Sequence, residues 1–203
     1  MAENYSGGTV LAMTGKDCVA IATDLRLGEN LFTVQEKEKV YKIGDKVYLG
    51  CAGLDTDCHT VVNKLRFRTS LYQLKENRPL KCSVLARMLS NLLYENRFGP
   101  YFIEPIIAGL DPLSGAPFIC NMDGFGCIST PKDFVAVGTA VEELCGVCEL
   151  FYQDDMDVDS LFEACAQTML SGLERDASSG CGTVVYVITK DKVTARTIKA
   201  RLD

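Results

Sequence analysis

Histidine is almost missing from this chain: there is one, His59, among 203 residues. That excludes histidine-rich metal sites and the HExxH protease motif, which need several imidazoles at fixed spacing. Basic charge is also in short supply. Lys and Arg number 21 against 27 Asp and Glu, for a formal net charge of -6, the wrong sign for a nucleic-acid or anionic-membrane surface. No uncharged apolar run approaches the roughly 20 residues of a membrane-spanning helix. The start, Met-Ala-Glu-Asn-Tyr-Ser-Gly-Gly, lacks the basic region and apolar stretch of a secretory signal. A reducing setting, cytoplasm or nucleus, is therefore expected. No linker, low-complexity segment or repeat interrupts the composition, so residues 1–203 read as one domain. At that length a chain buries roughly 70% of its unfolded surface and needs no disulfide or metal staple.

Cysteine, by contrast, is plentiful, with ten residues. In a reducing compartment these are expected to be free thiols that behave as small buried hydrophobes, and Cys18, Cys120 and Cys165 each sit inside an apolar strand or helix pattern. Cys145-Gly-Val-Cys148 has the spacing of a redox dithiol or half a zinc site. It has no second C-x-x-C and no nearby histidine, so packing is the expected role. His59 lies in a helical stretch, where a solvated or capping role is expected.

Hydrophobic periodicity divides the chain into alternating blocks. Thr9 to Met13 and Cys18 to Thr23 read as a hairpin joined by Thr14-Gly-Lys-Asp17, and Lys46 to Gly50 as a further strand. Cys58, Val61, Val62, Leu65, Thr69 and Tyr72 then recur at helical spacing, with Asp55 or Thr56 as the expected N-cap. Ser83 is the expected cap of a second helix carrying Val84, Leu85, Met88, Leu89, Leu92 and Leu93 on one face, with Pro79 as the break between the two. Tyr101 to Leu110, Pro117 to Met122, Phe125 to Ile128 and Phe134 to Val137 predict strands. Val141, Leu144, Cys148 and Phe151 mark a third helix. Leu161, Phe162, Cys165, Met169 and Leu173 mark a fourth, with Asp159 or Ser160 as cap. Thr183 to Thr189 and Val193 to Ile198 predict a closing hairpin. Strands, helix pair, strands, helix pair, strands is an α+β order, and two apolar helix pairs each need a sheet face to cover. The expected fold is a four-layer αββα sandwich, two antiparallel sheets between two helix layers.

The segments Val19-Ala-Ile-Ala-Thr-Asp24-Leu-Arg26, Leu49-Gly-Cys-Ala-Gly53, Gly138-Thr139 and Arg175-Asp176-Ala-Ser-Ser179-Gly180 resemble, in order and spacing, the proteasome β-subunits of the N-terminal nucleophile hydrolase class. The likeness runs over essentially the whole chain. Active members use an N-terminal threonine whose hydroxyl attacks and whose own amine is the base, so histidine is not required. By that resemblance Asp24 takes the place of an orienting aspartate and Lys39 that of its lysine, although the segment between them is one residue shorter than in many active relatives. Gly53 matches the oxyanion glycine and Asp176 and Ser179 the supporting pair, while Thr139 stands where serine is usual.

The nucleophile itself is absent from this match. Counting back the family's spacing from Asp24 lands on Gly8, which has no side chain to attack with. Thr9 is the alternative nucleophile, and an active threonine endopeptidase using it is the competing reading. A one-residue slip in a strand moves a side chain about 3.3 Å and turns it to the opposite face, so Thr9 is expected to point away from Lys39. Residues Met1 to Gly8 precede Thr9, and an unprocessed N-terminus is expected. No catalytic residue, cofactor or metal is therefore expected. The resemblance implies a non-catalytic subunit of the β-ring of a 28-subunit hetero-oligomer, touching other β-subunits and the α-ring. Asp123, after the Pro117 to Met122 strand, is a candidate to present negative charge to a neighbour's pocket.

Overall fold

In the computed structural model residues 8–29 and 32–200 are described, apart from the side chains of Glu29, Phe32 and Val34. The expected unprocessed segment ahead of Gly8 lies outside them. Strands β1 (Thr9–Gly15), β2 (Cys18–Asp24), β10 (Phe134–Gly138), β11 (Thr183–Thr189) and β12 (Val193–Ile198) form one antiparallel sheet in the order β10-β1-β2-β11-β12. A second has the order β5-β6-β7-β8-β9, from β5 (Val40–Gly44), β6 (Val47–Gly53), β7 (Ile103–Leu110), β8 (Pro117–Met122) and β9 (Ile128–Ser129). A small ribbon pairs β3 (Arg26–Glu29) with β4 (Phe32–Glu36). Helices α1 (Asp55–Glu76) and α2 (Cys82–Glu95) cover the second sheet, and α3 (Val141–Phe151) and α4 (Val158–Leu173) the first. The result is the expected αββα sandwich.

Side-chain alternation explains the layering. On β1, Leu11 and Met13 face α3 and α4 together with Cys18, Ala20 and Ala22 of β2. Val10, Ala12, Val19 and Ile21 point the other way, into the space between the sheets, against Tyr48, Ala52, Ile106 and Ala108. Both faces of β1 and β2 are thus covered, and both strands are buried nearly from end to end. Outside the second sheet, Leu49 and Cys51 meet Val61, Leu65, Leu85, Leu89 and Leu93 of α1 and α2. The sheets approach closely at Gly50 on β6, where a Cβ would lie 2.4 Å from Val10 Cγ1 and 3.1 Å from Ile21 Cδ1.

Several local expectations are corrected. Neither Asp55 nor Thr56 caps α1; Leu54 precedes the helix without a side-chain cap, and Asp55 and Asp57 sit within the first turn, where negative charge complements the helix dipole. Lys81, not Ser83, precedes α2, again without a side-chain cap. Asp157, rather than Asp159 or Ser160, caps α4 by accepting from the Ser160 amide at 3.0 Å. Strand structure does not cover Phe125 to Cys127: Asp123 Oδ1 accepts from the Phe125 and Cys127 amides at 2.9 and 2.8 Å, closing a turn before β9. Strands β3, β4 and β5 were not read from sequence.

Candidate functional site

One end of the sandwich collects the matched residues because strand ends meet there. Thr9, at the start of β1, is paired with Gly138 at the end of β10, and Asp24, at the end of β2, with Thr183 at the start of β11. In the facing sheet, Gly53 at the end of β6 is paired with Ile103 at the start of β7. A cleft of about 460 Å³ opens between these ends, lined in part by Gly8, Gly53, Phe102, Phe125, Gly138 and Thr139.

Asp24 is wholly buried and accepts four hydrogen bonds. Oδ1 takes the Thr9 amide at 2.9 Å and Lys39 Nζ at 2.7 Å; Oδ2 takes the Arg26 amide at 3.2 Å and the Gly180 amide at 3.3 Å. Burial pushes its carboxyl above the ordinary carboxylate value, opposed by the neighbouring Lys39 ammonium and the Thr9 and Gly180 amides. Lys39 also donates to the Arg26 carbonyl at 2.7 Å and to the Asp24 carbonyl at 3.4 Å. Its three hydrogens have three acceptors. The shorter segment between Asp24 and Lys39 does not prevent the two from meeting.

Gly8 stands against the stem of Lys39. A Cβ built on Gly8 would lie 2.3 Å from Lys39 Cε and 2.9 Å from Nζ, and the residue has φ +134°, a backbone conformation that L side chains rarely adopt. The Gly8 carbonyl accepts from the Thr139 amide at 3.2 Å. Thr9 faces elsewhere: its Oγ1 donates to Ser179 Oγ at 3.3 Å and accepts from the Ala140 amide at 3.2 Å. Its backbone nitrogen donates to Asp24 Oδ1.

A second network adjoins the first. Asp176 Oδ2 accepts from Thr139 Oγ1 at 2.5 Å and from Ser179 Oγ, while Oδ1 accepts from the Ser178 amide at 2.8 Å. Gly53 has φ +114°, and a Cβ there would lie 2.3 Å from the Phe102 carbonyl oxygen. All seven matched positions therefore converge on this end of the fold. Two participants were missed. Arg26 is 5% exposed, reaches the Ser178 carbonyl at 2.8 Å through Nη1 and supplies a carbonyl to Lys39; its place in the Asp24-Leu-Arg26 segment was the available signal. Glu104, whose Oε2 accepts from the Gly138 amide at 3.0 Å, carried none.

The family model described as proteasome subunit matches residues 4–188. The chain belongs to the proteasome subunit family. Across 98% of both chains it is 57% identical to proteasome subunit beta type-3 of Caenorhabditis elegans. It is 52% identical to that of Drosophila melanogaster over 98% of each chain, and 48% identical to that of Saccharomyces cerevisiae over 99% of this chain and 98% of the other.

All ten cysteines of this proteasome subunit are free thiols, eight of them buried. Burial pushes Cys82, Cys120 and Cys148 up to about 12, which keeps these thiols protonated and unreactive near neutral pH. Within Cys145-Gly-Val-Cys148 the first is exposed and the second packs in the α3–α4 core. Among the described residues no group of three His, Cys, Asp or Glu side chains is placed to hold a metal. His59 is exposed, as expected, and its Nε2 lies 2.6 Å from Lys37 Nζ.

Proposed function

We propose that this chain serves as the beta type-3 subunit of a 20S core particle, a non-catalytic member of the inner ring that holds its neighbours while other β-subunits cleave the substrates of ubiquitin-dependent degradation. The observation that carries the reading is the occupied space at Gly8. The position matched to the nucleophile has no side chain, its φ disfavours one, and the Lys39 stem stands within 2.3 Å of where the Cβ would be.

Thr9 offers no substitute. Attack by an N-terminal threonine needs a hydroxyl beside its own free amine and within the lysine's field. Here the Thr9 hydroxyl is committed to Ser179 and Ala140, while the Lys39 ammonium is spent on Asp24 and Arg26. Lys39, Asp24 and Arg26 instead form a buried, hydrogen-bonded tie that joins β2, β3 and the connection before β5, the pairing that buried polar groups require in any protein.

In this reading the subunit sits between beta type-2 and beta type-4 neighbours, over the α-ring, in the 28-subunit particle of cytoplasm and nucleus. Different neighbours require heterologous contacts, with pairwise specificity set by particular loops and tails. Asp123 remains a candidate for presenting charge to the beta type-2 pocket, although its Oδ1 already holds its own turn.

Intact-mass measurement of the subunit from purified particles, with a threonine-directed covalent inhibitor present, tests the proposal. The expected result is an unlabelled chain that retains residues ahead of Thr9. A labelled chain beginning at Thr9 would replace it with the endopeptidase reading. Cross-linking within the particle tests the neighbours separately.

A further inference from the structure

Three consecutive residues in the connection from β4 to β5 are each tied to a different element. Lys37 is held by Asp55 of α1, Glu38 accepts from Tyr186 Oη on β11, and Lys39 reaches Asp24 on β2. Only the first tie includes a group whose ordinary titration falls near neutral pH, the imidazole of His59. The Lys37 ammonium directs its three hydrogens at Asp55 Oδ1 (2.5 Å), Asp55 Oδ2 (2.6 Å) and His59 Nε2 (2.6 Å). An ammonium has no lone pair, so Nε2 is the acceptor and the imidazole is neutral, with its hydrogen on Nδ1.

The groups around His59 come from three elements. Lys37 approaches from the β4–β5 connection. Asp55, four residues earlier on α1, has Oδ1 3.8 Å from the same Nε2. From β5 the Tyr41 ring meets the imidazole edge-on at 5.7 Å between centroids, and burial pushes its phenol up, so it stays uncharged. Asp57, in the first turn of α1, is engaged by the Phe102 amide at 2.9 Å.

We propose that protonation of His59 transfers Asp55 from Lys37 to His59 and releases the Lys37 tie between the β4–β5 connection and α1. An imidazolium has no acceptor for the lysine, and like charges at that separation repel. Its new Nε2 hydrogen faces Asp55 at a spacing where helical side chains meet. A carboxylate that joins two elements at neutral pH then becomes an internal pair of α1. Glu38 and Lys39 keep their own anchors, so the connection loosens at its first residue without leaving the fold.

Hydrogen exchange, read by mass spectrometry on assembled particles and corrected for intrinsic rates, tests this in peptides spanning residues 36–44. Between about pH 7.5 and 5.5, the range in which ordinary histidine titrates, wild-type exchange is expected to accelerate roughly two- to fivefold, the size of one partly exposed ion pair. His59→Gln keeps an acceptor for Lys37 but does not titrate, and should show equal corrected rates at both pH values. Lys37→Met should exchange fast at both. Equal wild-type rates, or an unchanged pH response in either variant, would overturn the proposal.

Discussion

Two lysines, Lys37 and Lys39, stand two residues apart on one connection, and each is paired with an aspartate at 2.5 to 2.7 Å. Their surroundings differ. The Lys39 and Asp24 side chains are 8% and 0% exposed, against 20% and 26% for Lys37 and Asp55. Removing one partner of a buried pair strands a charge away from water, whereas water replaces the lost partner of an exposed one. Distance alone would rate the two pairs alike; burial separates a structural tie from an adjustable one.

The sharpest way to break the comparison is to remove each lysine in turn. Lys39→Met is expected to lower stability by about 3–5 kcal/mol in urea denaturation, because Asp24 is left buried without its cation. Gly8→Ala attacks the same cluster from the other side. With φ +134° and the Lys39 stem in the way, it should cost about 1–3 kcal/mol from backbone strain and overpacking.

The pH response of Asp24 sharpens the contrast further. Its folded-state carboxyl is raised, so the folded chain binds a proton more readily than the unfolded one. The contribution of this group to stability is therefore fully present below about pH 4, the unfolded carboxylate value, and is lost as pH rises through the higher folded value. Urea midpoints of wild type and Asp24→Asn, compared at stepped pH, should show wild type losing ground as pH increases. Last and smallest, Lys37→Met is expected to cost less than about 1 kcal/mol, and to cost less still in 1 M salt, where screening acts over about 3 Å. An equal loss for Lys37→Met and Lys39→Met would erase the distinction.

Legibility in the sequence followed burial. The outer faces of both sheets and all four helices could be read because Leu, Ile, Val and Cys recur at the period of the element that buries them. Strands β3 and β5 could not, since Arg26-Leu-Gly-Glu and Val40-Tyr-Lys-Ile-Gly carry little alternation to separate them from loop; Phe32-Thr-Val-Gln-Glu of β4 does alternate and was overlooked. Helix starts were misplaced for a related reason: Leu54 and Lys81 cap with main chain alone, and the polar residues nearby serve other partners.

At the site, resemblance selected Asp24, Lys39, Gly53, Thr139, Asp176 and Ser179, and the fold brings them to one end. Spacing marked Gly8 as a missing side chain. It could not disclose that the Lys39 stem fills the vacated volume, because that depends on a φ angle and an approach across strands. Glu104 was equally hidden, its partner being a backbone amide in the opposite sheet.

The close approach at Gly50 acts as a thickness gauge for the whole molecule. With Val10 Cγ1 2.4 Å from where a Cβ would stand, even alanine at this position would wedge the sheets apart. Gly8 and Asp24 belong to one sheet's end and Gly53 to the other, so the wedge would also widen the cleft between them. A side chain withheld in mid-strand, away from the matched residues, thus bears on the width of the site.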